Sequence, residues 1–316
     1  MGEARTSPPK VVVVILNWNG LPDTLQCLES VVRIDYPNFA TVVVDNGSRV
    51  DPRPEIETRF PQVPCIRLPR NLGYAGGNNV GIRYALDLGA DYVFILNNDT
   101  IVEPNVLRAA VAVAESDPRI AAVGVKILAW ENPTRIWVAY GHVTYRQGLV
   151  RLVGYYWPDD FRFTRVRDVD WVPGTAMLLR RQALLDIGLF DDEYFAYHED
   201  VDWCTSARKA GYRIVFAPEG RIFHKGHGSS GGRRFVSLRQ YLAGRNMVLF
   251  VRKHGTPWQK AKFVCFQLAT LPLQYLRRSL TGEQEGVVLK VRGMLDAMRD
   301  RPIPLVELGL RERNGE

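Results

Sequence analysis

Tyr92-Val-Phe-Ile-Leu-Asn-Asn-Asp-Thr100 is the stretch whose reading decides the fold. An apolar and aromatic run closed by turn formers predicts a strand covered on both faces. In an open parallel sheet, ligands sit beyond the carboxyl ends of the strands. Asp99 therefore stands where a reactive group is useful. Amide, carboxylate and hydroxyl oxygens together suit a hard cation such as Mg²⁺ or Mn²⁺, shared with the phosphates of a ligand. The same residue types also cap helices, and Pro104 marks a helix start just downstream. Both readings stay open on this stretch alone.

Upstream, Lys10-Val-Val-Val-Val-Ile-Leu16 is a β-branched run that stops at Asn17-Trp-Asn-Gly20. Pro22 then opens a helix with Leu25, Cys27, Leu28, Val31 and Val32 at helical spacing. Thr41-Val-Val-Val44, stopped by Asp45-Asn-Gly-Ser48, predicts a second strand, and Cys65-Ile-Arg-Leu68 a third. Asn71-Leu-Gly-Tyr-Ala-Gly-Gly-Asn-Asn79 reads as a flexible glycine-rich loop feeding a helix from about Val80 to Leu88. This alternation implies βαβ units, a mostly parallel sheet, and Asp45 and Asp99 on one edge.

Composition bounds the class. With 46% hydrophobic and 24% charged residues, the chain is an ordinary folded protein. Its 316 residues accommodate one large domain of roughly 200–250 residues and an appendage. Cys27, Cys65, Cys204 and Cys265 form no C-x-x-C pair, which argues against zinc or a disulfide framework and for a reducing compartment. Met1 to Lys10 offers no apolar core for a signal peptide. The expected organisation is a disordered terminus at 1–9, an α/β domain at 10–235 and a basic helical extension at 236–316. The expected location is cytoplasmic.

Charge is distributed unevenly. Residues 1–232 carry 25 Lys and Arg against 27 Asp and Glu, whereas residues 233–316 carry 16 against 7. A basic segment of that kind fits an anionic membrane surface, a lipid-linked pyrophosphate or nucleic acid, but no aromatic-interleaved motif supports the last. Ala261 to Leu276 is the most apolar part, too short and too interrupted by Lys262 and Pro272 for a spanning helix of about 20 residues. An interfacial helix and a helical pair packed on the main domain are equally open. If the first, the protein sits peripherally on the cytoplasmic face of the membrane.

Three further clusters carry chemistry. Phe195-Ala-Tyr-His-Glu-Asp-Val-Asp-Trp203 brings four ionisable groups to a helix start, more than dipole stabilisation requires. Arg221-Ile-Phe-His-Lys-Gly-His-Gly-Ser-Ser-Gly-Gly232 offers two histidines and a lysine in a glycine-rich run, apt for a metal and phosphate oxygens. Trp130 to Trp171, rich in aromatics and arginine, reads as irregular strands and a mobile loop.

In chain order, Val13-Val-Ile-Leu-Asn-Trp-Asn19, Val44-Asp-Asn-Gly-Ser48, Asn71 to Asn79, Leu96-Asn-Asn-Asp-Thr100, Gly174-Thr-Ala-Met-Leu-Leu-Arg180, Gly188-Leu-Phe-Asp-Asp-Glu193 and His198-Glu-Asp-Val-Asp-Trp203 resemble the family 2 glycosyltransferases of the GT-A fold. Their rhamnosyltransferase-like branch, which builds bacterial surface polysaccharides, is the most similar. The resemblance implies a Rossmann-like, mixed and mostly parallel sheet flanked by helices. It also implies an inverting, metal-assisted transfer from a nucleotide-diphosphate sugar (dTDP or UDP) to a lipid-linked or polysaccharide acceptor, with dTDP-rhamnose as one donor.

By the same resemblance, Asp45 contacts the nucleobase, with Asn17, Asn19, Gly73, Asn78, Asn98 and Lys225 as further donor contacts. Asp99 holds the metal together with His224. Asp200 is the general base beside Glu199, and Gly174, Thr175, His198, Asp202 and Trp203 face the acceptor. Two positions depart from the family pattern. The D-x-D motif keeps only its last acid, behind Asn97 and Asn98, and His198 stands where relatives often carry an aromatic.

Elementary chemistry asks for the same parts. A base must take the acceptor proton, and a cation must neutralise the leaving diphosphate. Glu199 and Asp202 are expected to raise the pKa of Asp200, and a metal to lower it. The alternative is a catalytically weak nucleotide-sugar or glycan-binding module of the same fold. The first loop, Asn17 to Gly20, has no basic residue and opens no G-x-G-x-x-G, against a nucleotidyltransferase or a dinucleotide-dependent oxidoreductase.

Overall fold

The computed structural model describes residues 7–226 and 238–309. Its first half comprises β1 (Val11–Asn17), α1 (Leu21–Val31), β2 (Phe39–Asp45), α2 (Arg53–Arg59), β3 (Cys65–Arg67), α3 (Gly73–Asp87) and β4 (Tyr92–Asn97). β1 lies parallel to β2 and β4, and β2 parallel to β3. The register sets Asn17 opposite Asp45 and Leu16 opposite Asn97, so three carboxyl ends finish together. Alternate side chains enter two cores. Val12, Val14, Val44 and Ile95 pack with Ile82 and Ala85 of α3. Val13, Ile15, Val43 and Phe94 pack with Leu25 and Leu28 of α1. Burial on both faces explains why these strands read as unbroken apolar runs.

One element departs from expectation. The glycine-rich segment is not a loop, because α3 already starts at Gly73. Its glycines serve packing. A Cβ on Gly77 would come within 2.5 Å of Leu16, and one on Gly81 within 2.2 Å of Val14. The helix therefore lies closer to β1 than a chain bearing side chains allows.

The middle of the chain forms β5 (Thr100–Val102), α4 (Val106–Glu115), β6 (Ile120–Ala129), β7 (Asn132–Val138), β8 (Tyr140–Val143), β9 (Val150–Val153), β10 (Arg167–Asp168), β11 (Ala176–Arg180), α5 (Arg181–Ile187), α6 (Glu199–Lys209) and β12 (Arg213–His224). The large sheet runs β10-β12-β6-β11-β4-β1-β2-β3, with β5 added on β12 and β7 on β6. β11 is antiparallel to both neighbours, and the end of β12 runs antiparallel to β5 with His224 opposite Thr100. The Trp130–Trp171 segment holds the short strands β7 to β10 joined by irregular chain, as expected, but much of it is packed rather than loose. Ile136, Val138, Tyr140 and Trp171 are buried within it.

Three helices follow: α7 (Leu238–His254), α8 (Pro257–Ser279) and α9 (Gln284–Met298). α7 and α9 cross backbone to backbone. A Cβ on Gly244 would stand 2.0 Å from the Lys290 carbonyl oxygen, and one on Gly293 2.1 Å from that of Tyr241. α7 is fastened to the sheet domain. Asn246 Nδ2 donates to the carbonyls of Tyr194, Ala196 and Tyr197 at 2.7–2.9 Å, and Arg245 donates to that of Glu193 at 2.7 Å. Among the described residues no helix is long and apolar enough to cross a membrane. Pro272 sits inside α8 without ending it.

At the amino end, Pro8 and Pro9 are not free, as a disordered 1–9 would require. Their carbonyls accept from Asn38 and Tyr36 at 2.8 Å each. The expected boundary at 235 and the run His227 to Gly232 lie outside the described residues.

The helix crossing makes a prediction. Gly244→Val must separate α7 from α9 and should lower the melting temperature by an amount equivalent to about 1–3 kcal/mol. Gly148→Ala, where a Cβ meets nothing nearer than 3.5 Å, should leave it unchanged. Equal melting curves for the two variants would contradict the packing.

Candidate active site

Asp99 follows β4, and the β5–β12 pairing brings His224 to it. Asp99 Oδ1 lies 3.1 Å from His224 Nε2. The second carboxylate oxygen, Oδ2, and His224 Nδ1 are buried without a partner. Trp137 packs its ring against the imidazole at 4.9 Å between centroids. Burial works to raise the Asp99 carboxyl, but the His224 hydrogen bond and charge outweigh it and hold the group below the usual range. A buried carboxylate oxygen left unpaired beside an imidazole is a fit for Mg²⁺ or Mn²⁺. No cluster of three or more His, Cys, Asp or Glu exists among the described residues, so phosphate oxygens and water must complete the shell.

The second centre is the start of α6. Asp200 Oδ2 accepts from the Gly174 N–H at 2.9 Å, and Oδ1 from the Val201 N–H at 2.8 Å. The Trp171 indole faces the same carboxylate without completing a hydrogen bond. Burial pushes Asp200 up to about 6 in spite of these donors. Glu199 is pushed well above its ordinary value, first by burial and then by the adjacent Asp200 charge, and its Oε2 has no partner. The environments separate the pair: Glu199 keeps the proton, and Asp200, with two backbone donors, takes the charge.

Tyr74 connects the two centres. Its hydroxyl donates to the Gly174 carbonyl at 2.7 Å. Its pKa is raised well above the ordinary value by burial, and then by the charges of Glu199, Asp200 and Asp99. One phenol therefore lies within the field of both carboxylate centres. Nothing singled it out in the sequence, because its segment read as a loop.

The chain enters α6 in a strained conformation. Phe195, Tyr197 and His198 all have φ between 60° and 71°, which is costly for side chains of this size. The Asn246 amide spans the carbonyls of this turn, so α7 holds the strain that orients Asp200. His198 occupies the last of these positions. Burial, with Lys290 and Arg239 nearby, pushes its imidazole down to about 4, so it is neutral at pH 7.

Several candidates take other roles. Asp45 is fully buried, and its oxygens accept from Asn17 Nδ2 at 2.8 Å and from the Ser48 hydroxyl and N–H, with Arg67 at 3.6 Å. It braces the sheet edge rather than presenting an open acceptor to a nucleobase. Asn17 is spent on the same network, accepting from Gly20 N and Thr24 Oγ1, and the Asn19 amide oxygen takes the Arg49 N–H. Asn98 donates to Gly20 O and Thr24 Oγ1. Asn78 donates to Tyr74 O but leaves its buried Oδ1 unpaired.

Gly73 admits a backbone, not a phosphate: a Cβ there would meet Phe195 O at 2.4 Å. Lys225 donates its N–H to the Asp99 carbonyl at 3.0 Å, while its Nζ is paired with Asp23 at 2.6 Å. Asp202 is taken up by α7 and Tyr194, with His254 at 2.7 Å, Lys253 at 2.9 Å and the Tyr194 hydroxyl at 2.9 Å. It therefore does not set the Asp200 pKa. Trp203 is core, donating to Gly188 O at 2.8 Å. Gly174 and Thr175 do lie at the site, beside Asp200 and Asn97 respectively.

A family model for the glycosyltransferase-like family 2 matches residues 8–243. The chain belongs to this family. Among its relatives, the N-acetylglucosaminyl-diphospho-decaprenol L-rhamnosyltransferase of Mycobacterium tuberculosis is 29% identical, over 93% of this chain and 97% of its own. The dTDP-rhamnosyl transferase RfbF of Shigella flexneri is 21% identical, over 78% and 81%. The mannosyltransferase PcManGT of Pyrobaculum calidifontis, solved in complex with GDP-Man and Mn²⁺, aligns with a TM-score of 0.58 at 17% identity, covering 93% of this chain and 88% of that one. The protein is thus a glycosyltransferase with the GT-A architecture.

Two carboxylates of α6 should differ in stability tests. Asp202 is opposed by burial but held below its ordinary value by His254 and Lys253. Its stabilisation is present above about pH 4 and fades as pH falls through its lower folded value. Asp202→Asn should therefore melt earlier at pH 7, with the gap closing below about pH 4. Asp200, raised to about 6, costs the native state stability once ionised. Asp200→Asn should melt later than the parent above pH 6. Shifts of the same sign at pH 7 would contradict the geometry.

Proposed function

We propose that this glycosyltransferase works with inversion, taking a sugar from a nucleotide-diphosphate donor to a hydroxyl of a lipid-linked acceptor. Rhamnose from a dTDP donor is the specific reading. The observation that carries the mechanism is the half-buried Asp200 carboxylate, held by two backbone N–H groups with its pKa raised to about 6, whose charge, like that of Asp99, acts on the Tyr74 phenol. Donor and acceptor are supported by the relatives named for rhamnosyl transfer to a diphospho-decaprenol and from dTDP.

Asp200 accepts the proton of the acceptor hydroxyl, and the oxygen attacks the anomeric carbon from the side opposite the diphosphate. The bond from that carbon to the phosphate oxygen breaks, and the nucleoside diphosphate leaves with the electron pair. Glu199, kept protonated, leaves Asp200 as the only anion of the pair. Asp99 and His224 would hold Mg²⁺ or Mn²⁺, which supplies neutralisation of the charge growing on the leaving diphosphate. Tyr74 fixes the Gly174 backbone that in turn orients Asp200. A Cβ at Gly174 would stand 3.0 Å from the Tyr74 hydroxyl, so this segment has no room to shift.

The test is release of nucleoside diphosphate from a panel of nucleotide sugars with Mg²⁺ or Mn²⁺ and a polyprenyl-diphosphate-linked acceptor. Turnover should appear with dTDP-rhamnose, and kcat/KM should rise tenfold per pH unit up to about 6 and then level off. Asp200→Asn should lower kcat by about 10²–10⁴ while donor still binds. Donor binding with no product from any acceptor would favour a binding module instead. Undiminished turnover in Asp200→Asn would remove the base.

A further inference from the structure

The second C-terminal helix, α8, carries an inverted pattern. On α8 the side chains turned toward the body are Phe263 and the half-buried Phe266 and Leu271, interleaved with polar groups. Gln267 is 3% exposed and donates to the Gln147 carbonyl at 3.2 Å, and Thr270 and Gln274 are half-buried. Apart from Leu271, the leucines lie outside. Leu268 is 72% exposed, Leu273 66%, Leu276 64% and Leu280 88%, with Val264 and Trp258 also exposed. With the small residues between them, these follow i+3 and i+4 spacing along the helix, a stripe of roughly 30 Å. A helix that keeps glutamine inside and presents leucine to solvent is built for a covering on its outer face.

Charge identifies the covering. α8 contains four basic residues, Lys260, Lys262, Arg277 and Arg278, and no Asp or Glu. Lys262 is tied to the Thr144 carbonyl at 2.9 Å. Lys260 and Arg277 are exposed and make no ion pair among the described residues, flanking the stripe near its two ends. The apolar surface continues across a groove of about 720 Å³ between α8 and α9, where Leu271, Pro272 and Tyr275 face Val288 and Leu295, with Arg299 at the margin. α8 itself carries cations and no acids, and the one acid lining the groove, Asp296, is buried and bonded to the Tyr241 hydroxyl, so the surface fits an acyl layer beneath anionic headgroups.

We propose that the outer face of α8, with the adjoining groove, is a docking surface for a lipid bilayer bearing anionic headgroups, the helix lying in the plane of the interface. The inference stands on this surface alone and does not depend on which sugar or acceptor the enzyme uses.

The full-length protein is tested by flotation with vesicles of phosphatidylcholine, with and without phosphatidylglycerol, at low and high salt. It should float with the anionic vesicles and much less with the neutral ones, and salt should release it. Leu268→Gln combined with Leu273→Gln and Leu276→Gln should lower the bound fraction at least roughly tenfold. Because these positions are exposed, the melting temperature should not fall. Lys260→Glu with Arg277→Glu should abolish the preference for anionic vesicles. Failure to float, or flotation unchanged in the leucine variant, overturns the proposal. So does sedimentation showing that the parent is a dimer which the leucine variant dissolves without lipid, for then a second copy covers the stripe.

Discussion

The antiparallel pairing of β4 with β11 holds the two halves of the site together. The Asn97 N–H donates to the Thr175 carbonyl at 2.9 Å, where β11 begins its antiparallel run beside β4. Two residues beyond Asn97 stands Asp99, and the residue before Thr175 is Gly174, whose N–H holds Asp200. The placement of Asp99 relative to Asp200, on which the proposed mechanism depends, is thereby tied to the sheet. Side-chain flexibility has little share in it. A site on strand ends keeps its spacing because the strands are buried on both faces and have no alternative register.

The C-terminal helices belong to this machinery. Asn246 crosses the strained turn before α6, and Asp202 reaches back to His254 and Lys253 on α7. A turn with three residues at positive φ persists only where its surroundings over-determine it. The helix that supplies those surroundings is itself locked by the glycine crossing with α9. Turn, clamp and crossing form one mechanical chain from the surface of the extension to Asp200.

Much of this was legible in the residues. The β-branched runs at Val11 and Thr41, the aromatic run at Tyr92, and the acid at its end gave the strand edge correctly. The order of the motifs gave the family. Asp99 meets His224, and the Gly174 N–H meets Asp200. Legibility failed where composition has two physical meanings. Glycines that let α3 lie on β1 look the same as glycines that cradle a phosphate. Asp45, Asn17 and Lys225 carry ligand-binding chemistry but use it on one another or on α1. Asp202 and Trp203 sit beside the base in sequence, yet a helix turns successive residues about 100° apart, which sends them to α7 and the core. Tyr74 and Asn246 were not foreseen, because each acts through contacts made only after folding. The inverted face of α8 also reads as an ordinary apolar stretch until its partners are known.

The most direct test of the account is a crystal structure of the protein with Mn²⁺ and a nucleoside diphosphate, with the metal placed by its anomalous signal. The account predicts the ion at Asp99 and His224, the diphosphate on it, and a cavity the size of one sugar between that diphosphate and the Asp200 carboxylate. Metal bound away from Asp99, or Asp200 opening into a cavity separate from the diphosphate, would contradict it.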